Sequence, residues 1–199
     1  MFAYIKGVLE AKADTYVVVE TGGIGYKVFM PSTAINKLGE IGDNVKVYTY
    51  YYVREDAINL YGFCSDEELK MFELLISVSG IGAKSALGIL AEVSPSNFAL
   101  AIITNDVSKL VKIPGIGAKT AQRMILELKD KLKTVQAVNK DEKVSTAIEN
   151  DESSSEAMAA LQMLGYNRRE IEKVFEKIDT KGISVEDIIR KALAVLGKW

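Results

Sequence analysis

The chain has 199 residues and not one histidine. That removes the commonest general base and metal ligand, and with them any Ser-His or Cys-His nucleophile pair. A zinc site has almost nothing to draw on. The single cysteine, Cys64, has no partner for an internal disulfide, so the cytosol is the expected compartment. No apolar run approaches the roughly 18 residues of a membrane span. The first residues, MFAYIKGVLEAKADTY, carry charges where a signal peptide needs its apolar stretch. A cytoplasmic chain with no membrane attachment is therefore expected. Net charge is −2, so a global basic excess is missing too. What is present is ordinary for a soluble globular chain, 48% apolar and 26% charged residues. The length suits one large domain or about two to three small ones.

The distribution of charge says more than its sum. From Lys109 onward stand Lys112, Lys119, Arg123, Lys129, Lys131 and Lys133, against Glu127 and Asp130. A globally acidic protein can bind phosphate through such a local patch. For Lys129 to Lys133 a solvated helix face with i,i+4 pairs accounts for the charges equally well.

Three regions follow one another. Residues 1–63 contain AYIKGVLEA, TYVVVET, GYKVFM, NVKVYTYYYV and INLYGF, short runs rich in Val, Tyr and Ile and separated by glycines. Their period-two alternation predicts five strands, and five strands in so short a span suit a Greek-key barrel of the OB-fold type. PSTAINKLGE between the third and fourth predicts a helical turn capped by Ser32. Residues 64–135 read as helical. Ser65 with Glu68 is a capping box, and Leu69, Phe72, Leu75 and Ile76 share a face. Residues 136–152, QAVNKDEKVSTAIENDE, are polar and aperiodic and predict a flexible linker. Residues 153–199 predict three short helices. Ser153 or Ser154 caps the first, which stops at Gly165, and Ser184 with Asp187 begins the third. A module this small is marginal alone. The fold class is multidomain, β then α.

Inside the helical region one phrase occurs twice: VSGIGAKSALGIL from Val78 and IPGIGAKTAQRMIL from Ile113. Each Gly-x-Gly is entropically costly, so the positions need positive φ or close approach of a ligand to the backbone. A Walker A loop needs Gly immediately before Lys and five residues earlier; Ala83 and Val78, Ala118 and Ile113 stand there instead. A Rossmann fingerprint needs a preceding strand and a third Gly, where Ser85 and Thr120 stand. What remains is helix, Gly-Ile-Gly turn, helix. Free N–H groups and the positive end of the dipole then meet at the start of the second helix, a ready anion site. Lys84 and Lys119 oppose that dipole and suggest an anion to neutralise. Ile81 and Ile116 are expected to turn inward. A tight αα-turn with C-cap glycines explains one copy as well as phosphate binding does. Two copies with the same Lys favour phosphate. Arg54-Glu55-Asp56, between two strands, reads on its own as a polar hairpin tip.

The phrase IPGIGAKTAQR resembles the helix-hairpin-helix motif of proteins that bind DNA without sequence preference. Two such hairpins after a barrel containing YYVREDAINLYGF, followed by a small module containing ALQMLGYNRREI, resemble the RuvA family along the whole chain. The resemblance implies an N-terminal OB-fold domain, a tandem helix-hairpin-helix domain and a C-terminal three-helix module of the ubiquitin-associated type. It implies backbone contacts to DNA phosphates at Gly80, Gly82, Gly115 and Gly117, with Lys84, Lys119, Arg123 and Arg54 as side-chain contacts. It makes Glu55 and Asp56 an acidic pin, gathered at a junction centre by a homotetramer, one or two tetramers per junction. It gives Leu161, Leu164 and Tyr166 to a partner surface, although on their own these residues also fit the core of a small autonomous bundle. The implied partners are four-way (Holliday) junction DNA, the hexameric AAA+ motor RuvB and the junction endonuclease RuvC, in recombination, DNA repair and the SOS response. ATP and Mg would serve the motor, leaving this chain with no cofactor, no metal and no catalytic residue. One departure is Ala118, where many family members carry a second basic residue; a weaker or backbone-only contact is implied there.

Two rival readings remain. A helix-hairpin-helix glycosylase would need a catalytic carboxylate after the second repeat, and Asp130 is the only nearby Asp. A protein-interaction scaffold would use the hairpins as turns alone.

Overall fold

A computed structural model of the chain describes residues 2–55, 57–138, 152–180 and 182–196. The five expected strands form: β1 (Tyr4–Lys12), β2 (Tyr16–Thr21), β3 (Ile24–Phe29), β4 (Asn44–Val53) and β5 (Ile58–Phe63). They close into a barrel in the order β1-β2-β3-β5-β4, with β4 returning to β1. All pairings are antiparallel except the short parallel contact of β3 with β5 at Phe29 and Tyr61. That is OB-like topology. Ile5, Leu9, Val17, Val19, Val28, Val45, Val47 and Leu60 fill the interior, because alternate residues of each strand point the same way. Helix α1 (Ser32–Lys37) contributes Ala34 and Ile35 to this core. Its N-cap is Pro31 and no side chain caps it, so the Ser32 cap is corrected: Ser32 is the first helical residue.

Helix α2 (Asp66–Ile76) begins as its sequence predicts, with the Glu68 amide bonded to Ser65 Oγ at 3.3 Å. The returning Glu68 carboxylate takes the Cys64 amide at 3.0 Å. Phe72 is wholly buried and meets the rings of Tyr50, Tyr61 and Phe63 at centroid distances of 5.4, 5.2 and 5.0 Å. Aromatic contacts of this kind add about 0.5–1.5 kcal/mol beyond area burial, and they fix the start of α2 on the barrel.

The chain divides into two compact units, Met1–Glu73 with Gly82–Glu92, and Leu74–Ile81 with Val93–Trp199. The first holds the barrel, the start of α2, and α3 (Ala83–Glu92), which rests against α1. The second holds the end of α2, α4 (Pro95–Ile103), α5 (Val107–Leu110), α6 (Ala118–Val138), α7 (Glu152–Met163), α8 (Arg168–Phe175) and α9 (Val185–Leu196). Ser94 caps α4, accepting from the Asn97 amide, and Asp106 caps α5, accepting from the Lys109 amide.

In α4, Phe98, Ala99, Leu100, Ala101 and Ile102 are buried in succession. At about 100° per residue, five successive positions go right round a helix, so it must be covered on every side. Helices α5 and α6 contact it, and so do α7 and α9 of the C-terminal module. The module therefore rests on α4.

The linker begins later than its composition predicts. Residues 136–138 continue α6, which runs to Val138. The rest of that expected linker, from 139 to 151, lies outside the described residues. Helix α7 starts at Glu152, so Ser153 and Ser154 are helical and do not cap it. The third helix is begun by Ser184 and Asp187 as expected, the Asp187 amide donating to Ser184 Oγ at 3.2 Å.

Candidate nucleic-acid interface

The two repeats share one backbone hydrogen-bond pattern. In the first, the Ile81 amide donates to the Val78 carbonyl at 3.1 Å; in the second, the Ile116 amide donates to the Ile113 carbonyl at 3.0 Å. The third residue of each four-residue turn is glycine with positive φ, 86° at Gly80 and 83° at Gly115. A type II turn requires that conformation there, and Pro114 in the second position completes its usual sequence. Val78, Ile81, Ile113 and Ile116 are all buried and anchor the turns, in keeping with the inward placement expected of Ile81 and Ile116.

The second glycines are different. Gly82 and Gly117 are not in the left-handed region, and a Cβ built on either meets nothing within 4 Å. Nothing inside the described chain therefore demands glycine at these two places. Their carbonyls accept the first helical hydrogen bonds of α3 and α6, from the Ala86 and Ala121 amides, each at 2.9 Å. Both thus sit at helix N-caps, ahead of first-turn amides that have no partner within the helix itself. Neither helix has an acidic residue in its first turn. Lys84 and Lys119 stand there instead, both exposed to solvent. Bare backbone, free amides, a positive dipole end and a lysine coincide twice.

Arg123 is exposed, but it is not idle: its Nη1 donates to the Ser79 carbonyl at 3.3 Å. Two further α6 side chains reach the same segment. Glu127 Oε2 accepts from the Ser79 amide at 3.0 Å, and Lys131 Nζ donates to the Ser77 carbonyl at 3.0 Å. Sequence reasoning misses these roles of Glu127 and Lys131, although their spacing from Arg123 puts all three on one helix face. Arg123 keeps other guanidinium donors for an external anion.

Arg54 and Glu55 are exposed at the tip of the β4–β5 hairpin, where the Arg54 amide donates to the Ala57 carbonyl at 2.9 Å. The Arg54 guanidinium lies 5.1 Å from the centroid of the Tyr52 ring, which holds it by cation–π attraction. Val53 and Ile58, a cross-strand pair, are large apolar side chains left exposed beside it. Asp56 lies outside the described residues.

In the C-terminal module the partner-facing assignment is corrected. Leu161 and Leu164 are fully buried, so they belong to its core and cannot meet a partner; helical period marks an apolar face without saying what covers it. Tyr166 is half-buried, just past the Gly165 stop, with its amide on the Leu161 carbonyl at 3.2 Å. Of the other reactive candidates, Asp130 lies on α6. Burial pushes the Cys64 thiol up to about 11, the Glu68 carboxylate adding to the shift. Among the described residues no three His, Cys, Asp or Glu side chains gather as metal ligands. No single described helix is long and apolar enough to cross a membrane.

Three family models match the chain in order. RuvA N terminal domain covers residues 1–62, SAM-like helix-hairpin-helix tandem covers 72–130, and RuvA C-terminal domain covers 152–197. Among curated relatives, a protein of Acetivibrio thermocellus is 49% identical over 201 residues, covering 100% of both chains. One of Ruminiclostridium cellulolyticum is 47% identical, over 98% of this chain and 100% of its own. One of Clostridium perfringens is 42% identical, over 98% and 99%. Each bears the name Holliday junction branch migration complex subunit RuvA. The barrel, the paired hairpins and the final three helices are thus matched end to end, and the chain belongs to the RuvA family.

Proposed function

We propose that this chain is the DNA-binding subunit of a branch-migration complex and grips four-way junction DNA by its phosphates. The observation that carries this reading is the pair of second glycines, Gly82 and Gly117, which no contact or φ among the described residues explains. A phosphate oxygen approaching the amides of a helix N-terminus needs that space. Phosphate contacts position a protein without reading sequence, which suits a factor that must ride along a moving junction. Gly80 and Gly115 shape the turns, and Lys84, Lys119 and Arg123 add charge.

A homotetramer with Glu55 and Asp56 at its centre would set carboxylates against DNA backbone at the crossover. Closed duplex is repelled there, while separated strands are guided past and the junction is kept open and square. This is selectivity by an unfavourable contact with the wrong ligand. The relatives' name describes a complex subunit, which supports a partner. We assign ATP, Mg and hydrolysis to a RuvB motor recruited through the C-terminal module, with RuvC acting on the same junction, and no cofactor or catalysis to this chain in its cytoplasmic setting.

The test is the salt dependence of junction binding. Replacing Lys84 and Lys119 by Ala should lower the slope of log K against log salt by about 0.9 for each phosphate no longer neutralised. The weakening should be the same for junctions of different sequence. An unchanged slope would remove both lysines from the phosphate-binding surface.

A further inference from the structure

The two turns are alike in hydrogen bonding but not in how they are stiffened. The second has Pro114 after Ile113, and its ring fixes φ where a type II turn wants it. The first has Ser79 at that place, which carries no such restraint and has an amide to satisfy. This amide is taken by Glu127, while the Ser79 carbonyl is taken by Arg123 and the Ser77 carbonyl by Lys131. All three side chains come from α6, the helix that the second turn opens. One face of α6 thus does for the first turn what a ring does for the second.

We propose that Arg123, Glu127 and Lys131 are positioning residues that hold the Val78–Ile81 turn in register with α6, and that Glu127 thereby strengthens DNA binding although it is an anion on a basic surface. The proposal rests on the phosphate-binding reading above. The sign of the effect separates it from simple electrostatics. A carboxylate near DNA phosphates repels them, and charges within about a Debye length, ~8 Å at physiological salt, still feel one another. On electrostatics alone, any removal of Glu127 tightens binding. If Glu127 positions the turn, the outcome depends on whether a hydrogen-bond acceptor survives. Glu127→Gln keeps an acceptor for the Ser79 amide and drops the charge. Glu127→Ala drops both.

The two variants carry equal charge, so their difference isolates the hydrogen bond. Junction affinity is measured for wild type and both variants at one salt concentration, with amide exchange at Ser79 followed on the DNA-free protein. Glu127→Gln should bind at least as tightly as wild type. Glu127→Ala should bind roughly 3- to 10-fold more weakly than Glu127→Gln, the range of one ordinary hydrogen bond, and Ser79 exchange should quicken in it alone. Adding Ser79→Pro to Glu127→Ala copies the second repeat and should restore the affinity. It also serves where Glu127→Ala is poorly folded, because the proline then rescues the fold as well. Equal affinity of the Gln and Ala variants, or no rescue by proline, overturns the proposal. The exchange measurement needs no DNA. Failure of the wild type to bind any junction would therefore sink the phosphate reading, while unchanged Ser79 exchange in Glu127→Ala would sink the positioning role.

Discussion

The paired glycines allow folding and binding to be separated by a single methyl group. At Gly115, φ is 83°, so Gly115→Ala forces an L-residue into the left-handed region. That costs about 1–2 kcal/mol. For a chain of this length each kcal/mol is worth about 2–4 °C in Tm, giving a drop of about 2–8 °C. At Gly117 the backbone is outside that region and a Cβ meets nothing within 4 Å. Alanine is a somewhat poorer N-cap than glycine, but it also has fewer unfolded conformations to lose. These effects are each about 0.5–1 kcal/mol and oppose one another. Gly117→Ala should therefore leave Tm nearly unchanged.

Binding should reverse the order. On the proposed contact, a methyl group at Gly117 would hold a phosphate off the first-turn amides of α6, and a hydrogen bond to a charged group contributes about 1.5–3 kcal/mol. The expected weakening of junction binding is roughly 10- to 150-fold. Gly115→Ala should bind better than Gly117→Ala at any temperature where both are folded. The assay is fluorescence anisotropy with a labelled four-way junction, alongside thermal melting. Wild-type affinity in Gly117→Ala would refute this role, because the space beside Gly117 would then serve nothing. So would a large fall in Tm for Gly117→Ala.

Removing everything after Val138 uncovers one side of α4, whose Phe98 to Ile102 are otherwise all buried; the fragment should still bind junctions but melt lower and associate more than the full chain, and it should no longer stimulate a RuvB motor. Replacing Glu55 and Asp56 by Gln and Asn should raise affinity for linear duplex more than for the junction, seen as a changed ratio of the two dissociation constants at one salt concentration; a constant ratio in a protein whose assembly state is unchanged would reduce the proposed pin to a polar hairpin tip.

Features of the fold are legible in the sequence to very different degrees. The five strands show in the alternation of residues 1–63, since each strand buries every second side chain in a common core. The second turn shows in Pro114-Gly115, because the type II turn has a narrow residue requirement. The difference in role between Gly115 and Gly117 does not show. Gly115 has positive φ and Gly117 does not, and only φ and the space around each can tell them apart. Leu161 and Leu164 mislead because an apolar stripe looks the same whether a neighbouring helix or a foreign protein covers it. The contacts of Glu127 and Lys131 are invisible for another reason. Their partners are a backbone amide and a backbone carbonyl; every residue supplies the carbonyl, and every residue except proline the amide.

A net charge of −2 and the proposed phosphate-binding role are reconciled by where the acids are kept. Helix α2 opens with Asp66, Glu67 and Glu68, α8 has Glu170, and α9 has Glu186 and Asp187 in the first turn. These helices follow the dipole rule, by which an anion at the N-terminus is worth about 0.3–1 kcal/mol. Helices α3 and α6 invert it: no acid stands in the first turn, and Lys84 and Lys119 do. In the free protein that inversion is unfavourable at both sites. On the proposed phosphate contact, an anion settling between the lysine and the amides would relieve it, so part of the proposed affinity would come from removing a repulsion the unbound chain carries. A net charge counts all residues alike, whereas a bound phosphate responds to those within about a Debye length, ~8 Å at physiological salt. The acids of α2, α8 and α9 stabilise their own helix ends, and the two hairpin helices carry none there, as the proposed phosphate contact requires.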